Sequence, residues 1–205
     1  MDLTPASLAR YFDDKFAASP DPWRYRYSWY EARKRALLLA SLPREHYRSG
    51  FEPACAIGAL SADLACRCDH LLCGDFSPRA VEAAQARLAS LTNVRVQTLT
   101  MPIDWPAGQF DLIVVSEFAY YLDAGDCTTL AMLAASSLAA DGTLACCHWR
   151  HGGETWMLQS AEVHGIFARA ASNALLHEVA RIEDADFLLD VWSRDPLSVA
   201  RRERA

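Results

Sequence analysis

This 205-residue chain is predicted to form an α/β fold built on an open, mostly parallel sheet, with helices on both faces and a C-terminal antiparallel hairpin. Three observations predict it. Strand-like and helix-like runs alternate from residue 50 to about residue 140, the pattern of strands joined by helical crossovers. The stretch FEPACAIGAL, residues 51–60, places an acid after a short apolar run and small residues at every second position, the outline of a strand end bending past a ligand. Near the end, two β-rich runs are separated only by the polar pair Glu183-Asp184.

Taken in order, residues 4–18 and 29–41 read as helices joined by SPDPWRYRYSW, whose Pro20 and Pro22 interrupt regular structure. Strands are expected near 50–55, 70–75, 93–99, 110–116 and 142–149, with helices over 59–67, 79–90 and 125–139. The second of these helices is the best marked: Ser77 is a candidate N-cap, Pro78 stands at the first helical position, and Val81, Ala84 and Leu88 recur at helical spacing. One further helix and the terminal β pair bring the sheet to seven strands, Rossmann-like in its alternation. A chain of this length with 52% hydrophobic residues buries one good core, so one domain is expected over 1–205. It would comprise a helical segment at 1–45, a core at 46–195 and a charged tail at 196–205, of which RRERA reads as disordered.

The net charge of −6 and the scattered basic residues offer no positive stripe for nucleic acid. The N-terminal sequence lacks the basic start and apolar block of a secretory signal, and no apolar run approaches the ~18 residues of a membrane span. A cytoplasmic protein is expected. The seven cysteines are odd in number and lie mostly in apolar segments, so reduced thiols are expected. Cys66-x-Cys68 and Cys147-His148-x-x-His151 lack a common zinc spacing, and no metal is expected.

A ligand in such a sheet binds beyond the carboxyl ends of the strands, where residues 52–58 lie. Asp75 follows by about the twenty residues at which these folds place a ribose-binding carboxylate. Small residues at 54, 56 and 58 fit a methyltransferase turn, while Ala59 also permits a degenerate dinucleotide fingerprint. The terminal antiparallel pair favours S-adenosylmethionine over a dinucleotide.

Five segments, DPWRYRYSWYEARK, FEPACAIGAL, FDLIVVSEFAYYL, DGTLACCHWR and FLLDVWSR, together resemble class I S-adenosylmethionine-dependent methyltransferases of the rhizobial nodulation protein S type, over roughly residues 11 to 194. The resemblance implies S-adenosylmethionine as cofactor, S-adenosylhomocysteine as product, and N-methylation of an amine on a deacetylated glycan, glycolipid or small metabolite. It implies that an N-terminal helical lid closes over the cofactor, with Trp23 covering it and Arg33 meeting the methionyl carboxylate. Glu52, Ala54 and Gly58 would form the turn, Asp75 would hold the ribose, Phe76 would lie beside the adenine, and Met101 would present its amide to the ring. Ala54 departs from the usual glycine, and Thr100 stands where an acid often binds the adenine amino group. A left-handed alanine at 54 would cost roughly 1–2 kcal/mol.

An amine acceptor needs a partner for its proton. Glu117, Tyr121 with its neighbour Tyr120, and His148 stand at strand ends facing the cofactor; Glu117 is expected at the cofactor amino group, the tyrosines as an aromatic wall for the sulfonium, and His148 as base by its intrinsic pKa. Trp149, Arg150 and His151 are candidates for the substrate mouth, and 150–159 is a second candidate lid. A non-catalytic cofactor-binding or partner subunit and a nicotinamide-dependent dehydrogenase stay open as alternatives, and a monomer or homodimer is expected.

Overall fold

The computed structural model describes residues 5–204. Its strands are β1 (Tyr47–Glu52), β2 (Cys68–Asp75), β3 (Val94–Thr98), β4 (Phe110–Ser116), β5 (Leu138–Trp149), β6 (His177–Glu183) and β7 (Phe187–Ser193). The helices are α1 (Pro5–Ala18), α2 (Trp29–Ser41), α3 (Ala59–Ala65), α4 (Pro78–Leu88), α5 (Ala124–Ser136), α6 (Ser160–Asn173) and the short α7 (Val199–Arg202). The strands form one sheet in the order β3-β2-β1-β4-β5-β7-β6, parallel throughout except where β7 runs antiparallel to β5 and β6. The chain moves outward from β1 to β3 and returns to β4 on the other side of β1, so the ligand crevice of such a sheet opens beyond the ends of β1 and β4.

Strand alternation assigns the two faces. Ile113, Val115, Leu144 and Cys146 pack with α5 and α6, whereas Leu112, Val114, Ala145 and Cys147 pack with α2, α3 and α4. Both faces being covered, β4 is buried from Phe110 to Val115, which is why Leu112–Val115 is apolar without alternation, and the buried Asp111 accepts the Arg48 and Ser49 amides. Helix α4 begins as its sequence indicates: the Ser77 hydroxyl accepts the Ala80 N–H and Pro78 opens the first turn. Asp123 caps α5 in the same way through Asp126.

Boundaries depart most from expectation in three places. β1 starts at Tyr47 and stops at Glu52, earlier at both ends than expected. α5 ends at Ser136 and β5 begins at Leu138, because Leu138 pairs with Phe110 ahead of a register shift in the ladder. The tail is not left loose: Val199–Arg202 forms a helical turn, and the Arg202 guanidinium donates to Asp195 and to the Pro43 carbonyl. Thr4, the expected start of the first helix, lies outside the described residues, and among these no helix is long and apolar enough to cross a membrane.

Candidate active site

The turn after β1 is built without the expected strain at Ala54. The left-handed residues are Ala56, φ 46°, and Gly58, φ 75°. Gly58 is constrained twice, since a Cβ there would also meet Leu88 Cδ1 at 3.0 Å and Ala84 Cβ at 3.3 Å on α4. Ala56 is held by Asp75: its N–H donates to Asp75 Oδ2 at 2.9 Å, while the Ser77 N–H donates to Oδ1 at 2.9 Å. Burial raises the Asp75 pKa to about 6, against the lowering effect of these two amides. Glu52, at the end of β1, is also buried; its Oε2 accepts the Ser61 hydroxyl at 2.5 Å, and burial pushes its pKa up to about 7.

Beyond these strand ends lies a cavity of about 550 Å³. Ala54, Asp75, Phe76 and Met101 line one part of it, together with Thr100. Trp23, Glu117 and Tyr121 line it too, and Glu52 borders an adjoining cleft of about 40 Å³. Phe12 of α1 sits among three of these rings, with centroids 5.3 Å from Phe76, 4.8 Å from Tyr121 and 5.8 Å from Trp23. Gly153, Glu154 and Met157 bring the 150–159 loop to the wall, and the Trp156 ring stands 5.9 Å from Tyr11.

Three expected residues do not line it, and the first, Gly58, shapes the turn from the side of α4. Arg33 points away, its guanidinium donating to Asp184 at 2.6 Å in the β6–β7 turn. The reason is helical phase: on α2 the buried positions are Glu31, Lys34 and Leu38, and Arg33 falls off that stripe. His148 is fully buried behind the turn Ala119–Tyr121, where its Nε2 accepts the Ala119 N–H at 3.3 Å. Burial, then the neighbouring His164 and Lys34, push its pKa well below the ordinary histidine value, and it does not line the cavity. A proton from a bound acceptor has no direct route to it. Of the expected mouth residues, Trp149 lines the cavity, whereas Arg150 and His151 turn to Glu183 and Asp186.

The charged centre that sequence reading missed is Lys34. Its buried ammonium contacts Glu31 Oε1 at 2.9 Å and Glu117 Oε1 at 2.8 Å, and lies 4.7 Å from the Tyr30 ring centroid. Burial alone would lower the Lys34 pKa, but Glu117 and Glu31 outweigh it and the net shift is upward, so the group stays cationic. Burial raises Glu31, against Lys34. Glu117 is left-handed, φ 60°, and its Oε2 accepts the Tyr120 hydroxyl at 2.6 Å. A strained residue fixed by two such bonds at a cavity wall is the kind of backbone that functional sites retain. The signal in the sequence was the Glu31-x-x-Lys34 spacing, hidden in YEARKR, where charged residues occupy four of six positions.

The profile of the family described as Nodulation protein S (NodS) matches residues 7–155. Nodulation protein S of Bradyrhizobium diazoefficiens is 33% identical over 150 residues, 67% of this chain and 72% of the relative. That of Rhizobium tropici is 30% identical over 200 residues, 88% of this chain and 78% of the relative. Among solved structures, a Pseudomonas syringae protein described as a methyltransferase is 52% identical with a TM-score of 0.72, covering 81% of this chain and 99% of that one. The N-methyltransferase NodS from Bradyrhizobium japonicum, solved with S-adenosylhomocysteine, is 28% identical with a TM-score of 0.80, covering 92% and 98%.

Proposed function

The chain belongs to the nodulation protein S family and is an S-adenosylmethionine-dependent methyltransferase, and from that premise we propose that it methylates the nitrogen of an amine on a deacetylated glycan, glycolipid or small metabolite. One observation carries the choice of an amine. Among the described residues lining the large cavity no lysine, arginine or histidine occurs, while Glu31, Asp75, Glu117, Asp123, Asp126 and Glu154 all do. Lys34 offsets part of the charge of Glu31 and Glu117 and Asp75 is kept for the ribose, so the net negative charge of Asp123, Asp126 and Glu154, interleaved with aromatic rings, is what draws a cationic acceptor and disfavours an anionic one. The solved relative that is an N-methyltransferase supports the same reading.

S-adenosylmethionine, when bound, supplies a methyl group on a sulfonium. The residues present fit that group: Asp75 for the ribose, Phe76 and the Met101 backbone for the adenine, and the turn of Glu52, Ala54 and Gly58 for the amino-acid end. Lys34 and Arg35 border the smaller cleft and replace Arg33 as the positive charge for the methionyl carboxylate. Glu117 accepts a hydrogen bond from the amine and aims its lone pair, and Tyr121 walls the sulfonium. The amine must shed its proton before transfer, and the acidic mouth at Asp123, Asp126 and Glu154 leads that proton to solvent. Trp23 and Phe12 make the segment before residue 45 a cover that excludes water, within a single domain over 1–205. The proposed enzyme is cytoplasmic and monomeric or homodimeric, in keeping with seven unpaired cysteines.

Labelled S-adenosylmethionine offered with a chitooligosaccharide carrying one free amine, and with its fully N-acetylated counterpart, tests the reading. Label on the nitrogen of the first alone supports it. Label on an oxygen of either overturns it.

A further inference from the structure

Behind the cavity wall, four polar side chains are buried in a group. Cys146 and His148 lie two residues apart on one face of β5, Asp190 stands opposite Cys146 on β7, and His164 comes down from α6. His164 Nδ1 is 2.6 Å from Asp190 Oδ2, His164 Nε2 is 3.3 Å from His148 Nδ1, and the Ala119 N–H donates to His148 Nε2 at 3.3 Å.

These contacts fix the protons. A nitrogen that accepts a backbone N–H is unprotonated, so neutral His148 carries its proton on Nδ1 and donates it to His164 Nε2. His164 in turn carries its proton on Nδ1 and donates to the Asp190 carboxylate. The chain from Ala119 through His148 and His164 to Asp190 thus runs in one direction, with Cys146 Sγ beside it at 3.5 Å from His148 Nδ1 and 4.0 Å from His164 Nε2. Asp190 Oδ1 has no hydrogen-bond partner, and Arg181 Nε stands 3.6 Å from it as an ion pair.

The same group includes the one set of metal-capable side chains found among the described residues, Cys146, His148 and His164, with ligand atoms 3.3 to 4.0 Å apart. Those separations suit a tetrahedral ion, but an ion on His148 Nδ1 would put the proton on Nε2, facing the Ala119 N–H, and no fourth ligand is offered. The hydrogen-bond chain leaves no such conflict.

We propose that Asp190, His164 and His148 are positioning residues that hold the Ala119–Tyr121 turn, and through it Glu117, at the acceptor end of the cavity. His148 satisfies the first N–H of that turn, one of the donors a helical start leaves unpaired, and its ring lies edge-on to Tyr120 at 5.3 Å. Tyr120 in turn donates to Glu117, which is left-handed and is otherwise held by the Cys147 carbonyl and Lys34. The relay thus reaches the site from behind, which explains two buried histidines and an aspartate that the proposed chemistry does not touch. The assignment rests on the reading of Glu117 and Tyr121 as the acceptor end.

The test compares His148→Leu with His148→Gln, whose amide oxygen can accept the Ala119 N–H while its amide nitrogen donates to His164. With the acceptor that the wild type methylates, His148→Leu is expected to lose about ten- to hundredfold in kcat with the S-adenosylhomocysteine Kd within about twofold, and His148→Gln to recover to within about threefold of wild type. Wild-type kcat in a folded His148→Leu, equal losses in both variants, or stoichiometric zinc in the purified protein would overturn the proposal. Should His148→Leu not fold, the nitrogen-15 shifts of the wild-type imidazoles decide: Nε2 of His148 unprotonated supports the relay, and Nε2 protonated overturns it. If the wild type methylates only oxygen, the amine reading fails, while the tautomer and the Leu–Gln contrast still judge the relay on their own.

Discussion

Replacing Ala56 by glycine should stabilise this protein, although the position lies in a turn whose glycines are already few. Ala56 sits at φ 46°, in the region where a Cβ crowds the following carbonyl. That crowding costs roughly 1–2 kcal/mol, and the Asp75 carboxylate that accepts its N–H offsets it by about 1.5–3 kcal/mol. Glycine at 56 keeps the N–H bond and removes the crowding, but loses about 0.4–1 kcal/mol to the freer unfolded chain. The balance is a gain of about 1 kcal/mol, or a melting temperature higher by about 2–4 °C for a chain of this size. Ala54 has no positive φ, so Ala54→Gly meets only the second effect and should be destabilising by about 0.4–1 kcal/mol. Urea unfolding of the two variants side by side measures the difference in sign. Equal destabilisation of both would refute the assignment of the strain to Ala56.

Asp75→Ala should weaken S-adenosylhomocysteine binding about tenfold or more in calorimetry and also lower stability, since the Ala56 and Ser77 amides lose their acceptor. Glu52 has a folded pKa of about 7 against an ordinary 4.5, so the folded state keeps a proton that the unfolded chain releases first. Its contribution therefore makes stability fall as pH rises from about 4.5 through about 7, by up to about 3 kcal/mol, and then level off. Asp75 acts in the same sense with its pKa near 6. Glu52→Gln should flatten that fall in urea titrations at pH 5, 6 and 7.5. Lys34→Met strands two carboxylates and should cost about 3–5 kcal/mol, part of which the double variant with Glu117→Gln recovers in a double-mutant cycle.

The architecture was legible because its signals are local and repeated. The Ser77-Pro78 start of α4 and the apolar run Leu112–Val115 of β4 each identify an element without knowledge of its neighbours. Of the cavity residues contributed by strand ends, Asp75 followed from its spacing after the turn, whereas Phe76 and Met101 followed only from the family resemblance. Helix phase was harder: in YEARKR the choice between Arg33 and Lys34 is a rotation of about 100°, and only the packing of α2 against α3 and β7 decides it. His148 misled for a related reason. It lies near the end of β5, but α6 and the turn Ala119–Tyr121 close over it, and neither long-range contact is written in its own segment. The left-handed residue of the glycine-poor turn could not be placed at 54 or 56 from small side chains alone, because both alanines fit the spacing.

The most direct test of the proposed site is hydrogen exchange on the full chain with and without S-adenosylhomocysteine. The ligand should slow exchange in residues 51–58 and 75–77, whose amides surround Asp75, and in 11–25, where Phe12 and Trp23 cover the cavity. Protection confined to other segments, with 51–58 and 75–77 unchanged, would contradict the placement of the cofactor at the ends of β1 and β2.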